Sequence, residues 1–212
     1  MLGVLNRDRA AERRAATRRE IIDAAWDVAR EQGLAQLTLR DIAHRVGMKA
    51  PSLYSHVESK NAIYDTMFAQ AWTECREVMA AAEERCPADV RGALHVYARA
   101  FFDFSVSDLA RFQLMNQRTI PGFEPSPEAY APALLTLASL RDRLARHAIT
   151  VQEDIDLYVA LVGGLADAQL ANDPGGDRWA RLLDRAIDMY LHDLGIDKEV
   201  PLTSTQEAGT PP

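Results

Sequence analysis

The chain has 212 residues, of which 48% are hydrophobic, and a formal net charge of −7. This length is enough for one large or two small domains with an apolar core, and the absence of a run of about 18 apolar residues argues against a transmembrane helix. Cys75 and Cys86 are too few for a disulfide framework, and the arginine-rich N-terminus has no apolar signal segment, so we expect a cytoplasmic protein that does not associate with a membrane.

Charge is unevenly distributed along the chain. Residues 1–66 carry 11 Lys and Arg against 9 Asp and Glu, a net charge of +2, whereas residues 67–212 carry 13 against 22, a net charge of −9. Six arginines crowd the N-terminus: Arg7, Arg9, Arg13, Arg14, Arg18 and Arg19. A nucleic-acid-binding protein needs positive potential only at its binding end.

Three short helices are predicted after a basic arm at residues 1–16: about 17–32, 39–46 and 50–56. Thr38 and Asp41 have the spacing of a capping box at the start of the second helix. Gly47 is suited to end that helix, and Pro51 is tolerated in the first turn of the next one. Two short helices joined by a glycine turn predict a helix-turn-helix, whose second helix lies in the DNA major groove.

This region resembles the DNA-binding domain of the TetR family of transcriptional regulators. The resemblance covers roughly residues 17–66 and rests on the following segments: IIDAAWDVAREQG in the first helix, TLRDIA at Thr38–Ala43, the Val46-Gly47 turn, Leu53-Tyr54-Ser55-His56, and Ser59-Lys60. It implies an all-α protein of about nine helices. An N-terminal three-helix helix-turn-helix domain at 17–62 would precede a C-terminal helical ligand-binding and dimerisation domain at 63–196.

Three positions depart from the family pattern. Lys49 replaces the Ser or Thr that usually caps the recognition helix, and a lysine cannot accept the backbone hydrogen bonds of a cap. Val57 replaces a common aromatic residue and Ala29 a common Phe, beside the large Trp26. We therefore expect a repacked domain core and do not transfer an operator sequence.

Six further helices are predicted from apolar periodicity and from Pro and Gly punctuation: about 60–85, 87–106, 108–118, 127–147, 150–172 and 177–194. Thr150 and Glu153 form a second potential capping box. Residues 119–126 form a proline-containing loop, and the polar tail at 197–212 is expected to be disordered.

Ten residues are predicted to contact DNA: Thr38, Arg40, Lys49, Ala50, Pro51, Ser52, Tyr54, Ser55, His56 and Lys60. The resemblance implies phosphate contacts for Tyr54 and Lys60, and Lys60 opens a helix whose free N–H groups favour an anion. Lys49 can donate to guanine, but for it and each of the two serines a plain surface role fits equally well. The N-terminal arginines are compatible with either a minor-groove arm or a solvated tail.

The middle helices contain an aromatic stripe, which by pattern alone is typical of a core. The resemblance implies that this region opens into a ligand pocket, and such pockets are mostly apolar. The predicted lining residues are Trp72, Tyr97, Phe101, Phe104, Phe112 and Met115. Polar candidates, each also compatible with a surface position, are His95, Gln113, Asn116 and Gln117.

The last two long helices are expected, from the resemblance, to pair with their copies in a second subunit as a four-helix bundle. The predicted interface residues are Tyr158, Leu161, Gly164, Leu165, Trp179, Leu183 and Ile187. The alternative is that Gly163 and Gly164 only fit against their own domain.

The sequence thus predicts a homodimeric regulator that binds double-stranded DNA, a repressor released from a palindromic operator by a small, mainly apolar effector. One alternative is a DNA-bound regulator controlled by a protein partner instead of a small molecule. A remote alternative is a helical ligand carrier or enzyme, but no metal-ligand spacing, phosphate loop or nucleophile motif supports catalysis. We expect neither a cofactor nor a metal.

Overall fold

The structure, a computed structural model, describes residues 2–196, with side chains from Arg9 onward. Within this range it contains nine α-helices and two short 3-10 helices, and no strand. The α-helices are α1 (Leu2–Gln32), α2 (Leu39–Val46), α3 (Ala50–Leu53), α4 (Lys60–Glu83), α5 (Val90–Val106), α6 (Leu109–Asn116), α7 (Pro127–Ala145), α8 (Gln152–Asn172) and α9 (Leu183–Asp193). The predicted all-α fold class is confirmed, while the predicted disordered tail at 197–212 lies outside the described residues.

Several helix ends differ from the sequence-based prediction. Helix α1 begins at Leu2, so most of the segment predicted as a basic arm at 1–16 is helical. Regular helix α3 ends at Leu53, and turns continue it to about His56. The Thr150–Glu153 capping box is wrong because Val151 is the N-cap of α8, without a side-chain cap. Residues 180–182 form a 3-10 helix before α9, which begins only at Leu183.

The first three helices share a core with the start of α4. Its fully buried members include Ile21, Ala25, Leu37, Ile42, Leu53 and Ile63. Of the three residues for which a repacked core is expected, Trp26 and Ala29 are buried in it and Val57 packs against it. The Trp26 indole N–H donates to Gln70 Oε1 on α4 at 3.2 Å, so its polar atom is satisfied as well.

A second core joins α5, α8 and α9. Its buried members include Leu94, Phe102, Tyr158, Leu183 and Ile187. Helix α4 extends from the first core into the rest of the chain, where it packs against α7 and α5. Because α7 lies mainly against α4 and α8 mainly against α5, a space remains between them. Among the described helices, none is long and apolar enough to cross a membrane.

Candidate nucleic-acid interface and ligand cavity

Helix α2 is held at both ends by the residues that the sequence predicts. The Asp41 backbone N–H donates to the Thr38 hydroxyl at 3.2 Å, and that hydroxyl is 2.5 Å from the Asp41 carboxylate. At the other end Gly47 adopts φ 76°, the left-handed conformation that glycine tolerates best. Ile42 and Ala43 face the core, so α2 is a fixed support for the helix that follows.

Helix α3 presents a polar surface to solvent. Leu53 is its fully buried anchor, whereas Lys49, Pro51, Ser52 and Ser55 are exposed and Tyr54 is 59% exposed. An exposed phenol of that size on a short polar helix is available to a binding partner.

The two ends of α3 differ in their side-chain hydrogen bonds. As predicted, Lys49 gives α3 no side-chain cap. The Ser55 hydroxyl donates to the Ser52 carbonyl at 2.7 Å, which orients it along the helix.

The remaining predicted DNA contacts surround α3. Thr38 and Arg40 are exposed on α2, and Ala50 and His56 are half-buried. Lys60 is half-buried as well: its ammonium lies 3.5 Å from the Ala35 carbonyl and 5.4 Å from the centre of the Tyr64 ring. A phosphate contact by Lys60 therefore requires a shared or altered position of this ammonium.

Two arginines of the basic N-terminal region make hydrogen bonds within the protein. Arg18 on α1 donates from Nε to the His56 carbonyl at 3.3 Å, tying the basic helix to the end of α3. Sequence reasoning missed this contact, although Arg18 belongs to the N-terminal cluster. Arg45 bonds Glu31 and lies 3.7 Å from Asp27, so its charge is used within the domain.

A cavity of about 240 Å³ lies between α4, α5, α7 and α8. Three of the six predicted lining residues, Trp72, Tyr97 and Phe101, contribute to it, and Asn116 contributes an amide. A second cavity of about 390 Å³ is bordered by Met115 and residues of the 117–125 loop. Asn116 and Tyr130 border both cavities, so the two spaces are neighbours.

Two predicted ligand contacts are corrected by the structure. Phe112 is buried in the α5–α8–α9 core and borders neither cavity. Phe104 is buried, and the guanidinium carbon of Arg111 lies 3.8 Å from the centre of the Phe104 ring. Both residues lie on the predicted helices but face away from the space between α7 and α8. His95 also lies elsewhere, between Asp184 and Asp188 of α9.

Helices α7 and α8 supply lining that sequence reasoning missed. From α7 come Leu137, Leu140 and Arg143, and from α8 come Tyr158 and Val162. The three-residue spacing of the two leucines was a helical signal for an inward face. Tyr158 donates its hydroxyl to the Leu94 carbonyl at 3.0 Å, and burial raises the pKa of this phenol.

Arg143 is the charged member of the cavity wall. Its Nε donates to Glu83 at 2.8 Å, and Arg146 bonds the same carboxylate. The hydrogen bond from Arg143 holds the pKa of Glu83 below its ordinary value. The Arg143 guanidinium also lies 5.5 Å from the centre of the Tyr97 ring, within the range of a cation–π contact.

Comparison with known proteins identifies the N-terminal domain. Residues 21–67 match the family model described as bacterial regulatory proteins, tetR family, and these residues contain the capped α2, the Gly47 turn and α3. This N-terminal region is thus similar to the DNA-binding domain of the TetR family. The tetracycline repressor protein class D of Escherichia coli is 40% identical over 50 residues, which cover 24% of this chain and 23% of the repressor. The match thus spans about a quarter of that relative's length.

Two other similarities extend beyond the DNA-binding domain. An uncharacterized HTH-type transcriptional regulator of Haemophilus influenzae is 27% identical over 148 residues, covering 69% of each chain. PfmR, a TetR family transcriptional regulator from Thermus thermophilus, has a TM-score of 0.61 at 20% identity, covering 81% of this chain and 97% of its own. The second likeness shows the fold. The matched family model and the Haemophilus influenzae relative are both described as regulators.

Helices α8 and α9, with the 3-10 helix between them, present an apolar outer face. Met189 is 63% exposed, Leu157 and Leu182 are exposed, and Leu161 is half-buried. A Cβ added at the exposed Gly164 would meet no atom within 4 Å, so its lack of a side chain serves no contact within the subunit.

The predicted interface is corrected at three positions. Tyr158, Leu183 and Ile187 are buried within the subunit's own core and face α5 instead of solvent. Leu161, Leu165 and Trp179 are half-buried. The outer face of this region is formed instead by nearby residues such as Leu157, Leu182 and Met189. Pairing of these helices with a second subunit stays a prediction.

Proposed function

We propose that this protein is a homodimeric, sequence-specific DNA-binding transcriptional regulator. More specifically, we propose a repressor that a small, mainly apolar effector releases from a palindromic operator. The observation that carries the DNA-binding part is the exposed polar surface of α3, supported by the capped α2 within the matched TetR-family domain. Residues 17–62 would form the DNA-binding domain and residues 63–196 the ligand-binding and dimerisation domain.

The proposed DNA contacts divide into two kinds. Thr38, Arg40, Tyr54 and Lys60 would bind phosphates, which position a protein without reading sequence. Lys49 at the N-cap of α3, Ser52 within it and Ser55 in the turn after it are exposed and would reach base edges. The helical N-terminal segment adds arginines at the same end of the molecule, and Arg18 joins it to α3. Positive potential there would favour the DNA backbone.

Dimerisation would place two such surfaces on one DNA duplex. The exposed apolar face around Leu157, Gly164 and Met189 supports a partner of the same kind, because a two-fold contact buries the same patch on both subunits. Two recognition helices related by a two-fold axis would then bind a palindromic site in successive major grooves.

Effector control would operate through α4. This helix begins beside the DNA-binding domain at Lys60 and contributes Trp72 and Met79 to the cavity. A ligand that prefers one spacing of the two DNA-binding domains would shift operator affinity, and a ligand with equal affinity for both states would shift nothing. Typical coupling corresponds to roughly a 5- to 150-fold change in affinity.

The test begins with selection of bound sequences from random DNA by the full-length protein. We expect a palindromic consensus and an affinity that falls steeply with salt, because phosphate contacts release counterions. A compound screen for release of the selected DNA then addresses the effector. Selection without any consensus would overturn sequence-specific binding, and a palindromic consensus with no releasing compound would favour control by a protein partner.

A further inference from the structure

The wall of the 240 Å³ cavity contains a buried charge. Arg143 is 5% exposed, and it is the one formally charged residue among those that the structure describes as buried. Removing a cation from water is costly unless partners compensate it. The partners of Arg143 therefore indicate what the cavity is built to accept.

Glu83, at the end of α4, compensates this charge only in part. Its carboxylate bonds both Arg143 and Arg146, so one negative charge faces two positive charges. The three side chains together carry a net charge of +1. Arg146 is more than half exposed and is stabilised by water, whereas the buried Arg143 is the cation that borders the cavity.

The guanidinium of Arg143 retains unused donors. Within residues 2–196 its one hydrogen bond uses Nε, which donates to Glu83. Nη1 and Nη2 therefore remain available, and a guanidinium can bind a carboxylate through two parallel N–H groups. The Tyr97 ring, which lines the cavity, has its centre 5.5 Å from the guanidinium carbon of Arg143.

The other residues that line the cavity indicate the polarity of the rest of the ligand. Phe101, Leu137, Leu140 and Val162 are apolar, and they come from three different helices around the space. A ligand with several charges would leave some of them unpaired against these side chains. A single anionic group on an apolar body matches both the one buried cation and its surroundings.

We propose that the effector is an apolar monocarboxylate whose carboxylate binds the guanidinium of Arg143. This inference rests on the proposed effector control. It adds to the mainly apolar effector a single carboxylate and names the residue that binds it. The simpler alternative is that Arg143 only fastens α7 to α4 through Glu83. In that case the cavity would not distinguish an acid from its uncharged amide.

The experiment compares matched ligands on the full-length protein without DNA. Decanoic acid and decanamide form an aliphatic pair, and phenylbutyric acid and phenylbutyramide an aromatic pair. Binding near neutral pH is measured by calorimetry and by tryptophan fluorescence, since Trp72 lines the cavity. We expect at least one acid to bind roughly 10- to 100-fold more tightly than its amide, the usual gain from a hydrogen bond to a charged group.

Two variants test whether Arg143 causes this preference. Arg143→Gln should abolish the preference for the acid. Glu83→Gln should preserve or increase it, because two arginines then lack their carboxylate. If Arg143→Gln does not fold, the Glu83→Gln variant decides: a reduced preference for the acid there contradicts the proposal.

Three results would overturn the inference: equal affinity for acid and amide in the wild type, no binding of either acid, or an acid preference that survives Arg143→Gln. Because these measurements omit DNA, they are independent of operator binding. An acid that binds through Arg143 but leaves operator affinity unchanged would refute effector control while leaving the ligand assignment intact.

Discussion

Arg30 on α1 donates from Nε to the carboxylate of Asp108 at 2.9 Å, joining the DNA-binding domain to the N-cap of α6. Asp108 also accepts from the Arg111 backbone N–H at 3.0 Å, and Arg111 reaches Glu74 on α4 at 3.4 Å. One carboxylate thus bonds both the first helix and a helix that borders the cavities. A displacement of the N-terminus of α6 would therefore act on α1 through the Arg30–Asp108 hydrogen bond.

The Arg30–Asp108 contact should stabilise the junction between the domains. A double-mutant cycle with Arg30→Ala and Asp108→Asn should give a coupling free energy of about 0.5–1 kcal/mol, measured by urea denaturation. Asparagine keeps the oxygen that caps α6, so the cap should survive. The matched control is the pair Arg30 and Asp27, which lie one turn apart on α1 and are both about half exposed. If the control couples as strongly as the inter-domain pair, the junction has no special role.

Arg40 should contribute to DNA binding through phosphate alone. Arg40→Ala should weaken binding to all sequences similarly and reduce the slope of log affinity against log salt by roughly 0.9 per lost contact. Lys49→Ala should instead alter the preferred sequence. The control is Arg181→Ala, which removes the same charge from an exposed site beside α9. Fluorescence anisotropy over a salt series measures the affinity and its salt slope. An equal effect of Arg181→Ala would show that the loss of affinity comes from the change in net charge and not from a contact of Arg40.

How much of this interface is predictable from sequence depends on how local its determinants are. Helix α2 was predicted with its observed ends because Thr38 and Gly47, which fix those ends, are adjacent to it. The end of α3 was placed too late because the turns after Leu53 continue the helical spacing. The helical start of α1 was missed because its arginines indicated a solvated arm, although the alanines among them favour a helix.

The cavity was less predictable because its determinants are distant in sequence. Arg143 on an amphipathic helix is ordinarily a solvent-facing residue, and its burial depends on Glu83, which is 60 positions away. The resemblance implies a dimer interface on the helix that contains Tyr158, but neither it nor helical periodicity shows which neighbour covers that side chain. Its hydroxyl bonds Leu94 on α5, a contact that no local pattern contains.

The outer face of α8 and α9 should be required for dimerisation. Gly164→Arg should yield a folded monomer with much weaker operator binding, because the arginine would be buried without a partner at the interface. Within one subunit the site has room for the side chain, and replacing a mid-helix glycine favours the helix, so folding should be unaffected.

Sedimentation of Gly164→Arg measures the oligomeric state, and circular dichroism verifies the fold. Leu135→Asp on α7 is the control, since Leu135 is an exposed leucine on a helix outside the proposed interface. We expect this control to remain dimeric. A tight dimer of Gly164→Arg would show that the subunits pair elsewhere.

The Glu83 contact should make stability depend on pH in a defined direction. The hydrogen bond from Arg143, followed by the nearby positive charges, lowers the pKa of Glu83 from its ordinary value of 4.5. A carboxyl group with a lower pKa in the folded state binds fewer protons there, so its contribution to stability is complete above the unfolded-state pKa. That contribution is lost as pH falls through the folded-state pKa.

The stability difference between wild type and Glu83→Gln should accordingly be largest near neutral pH. We expect a difference of about 0.5–1.5 kcal/mol there, the range for a typical hydrogen bond, because the Glu83 side chain is 36% exposed and solvent screens its charge. The difference should decrease progressively below about pH 4.5. Urea denaturation over a pH series measures it. In an Arg143→Gln background, replacing Glu83 by Gln should change stability less and with a weaker dependence on pH. The hydrogen bond from Arg143, the main cause of the lowered pKa of Glu83, is then absent. A difference that grows as pH falls would show that Glu83 is not stabilised by this arginine.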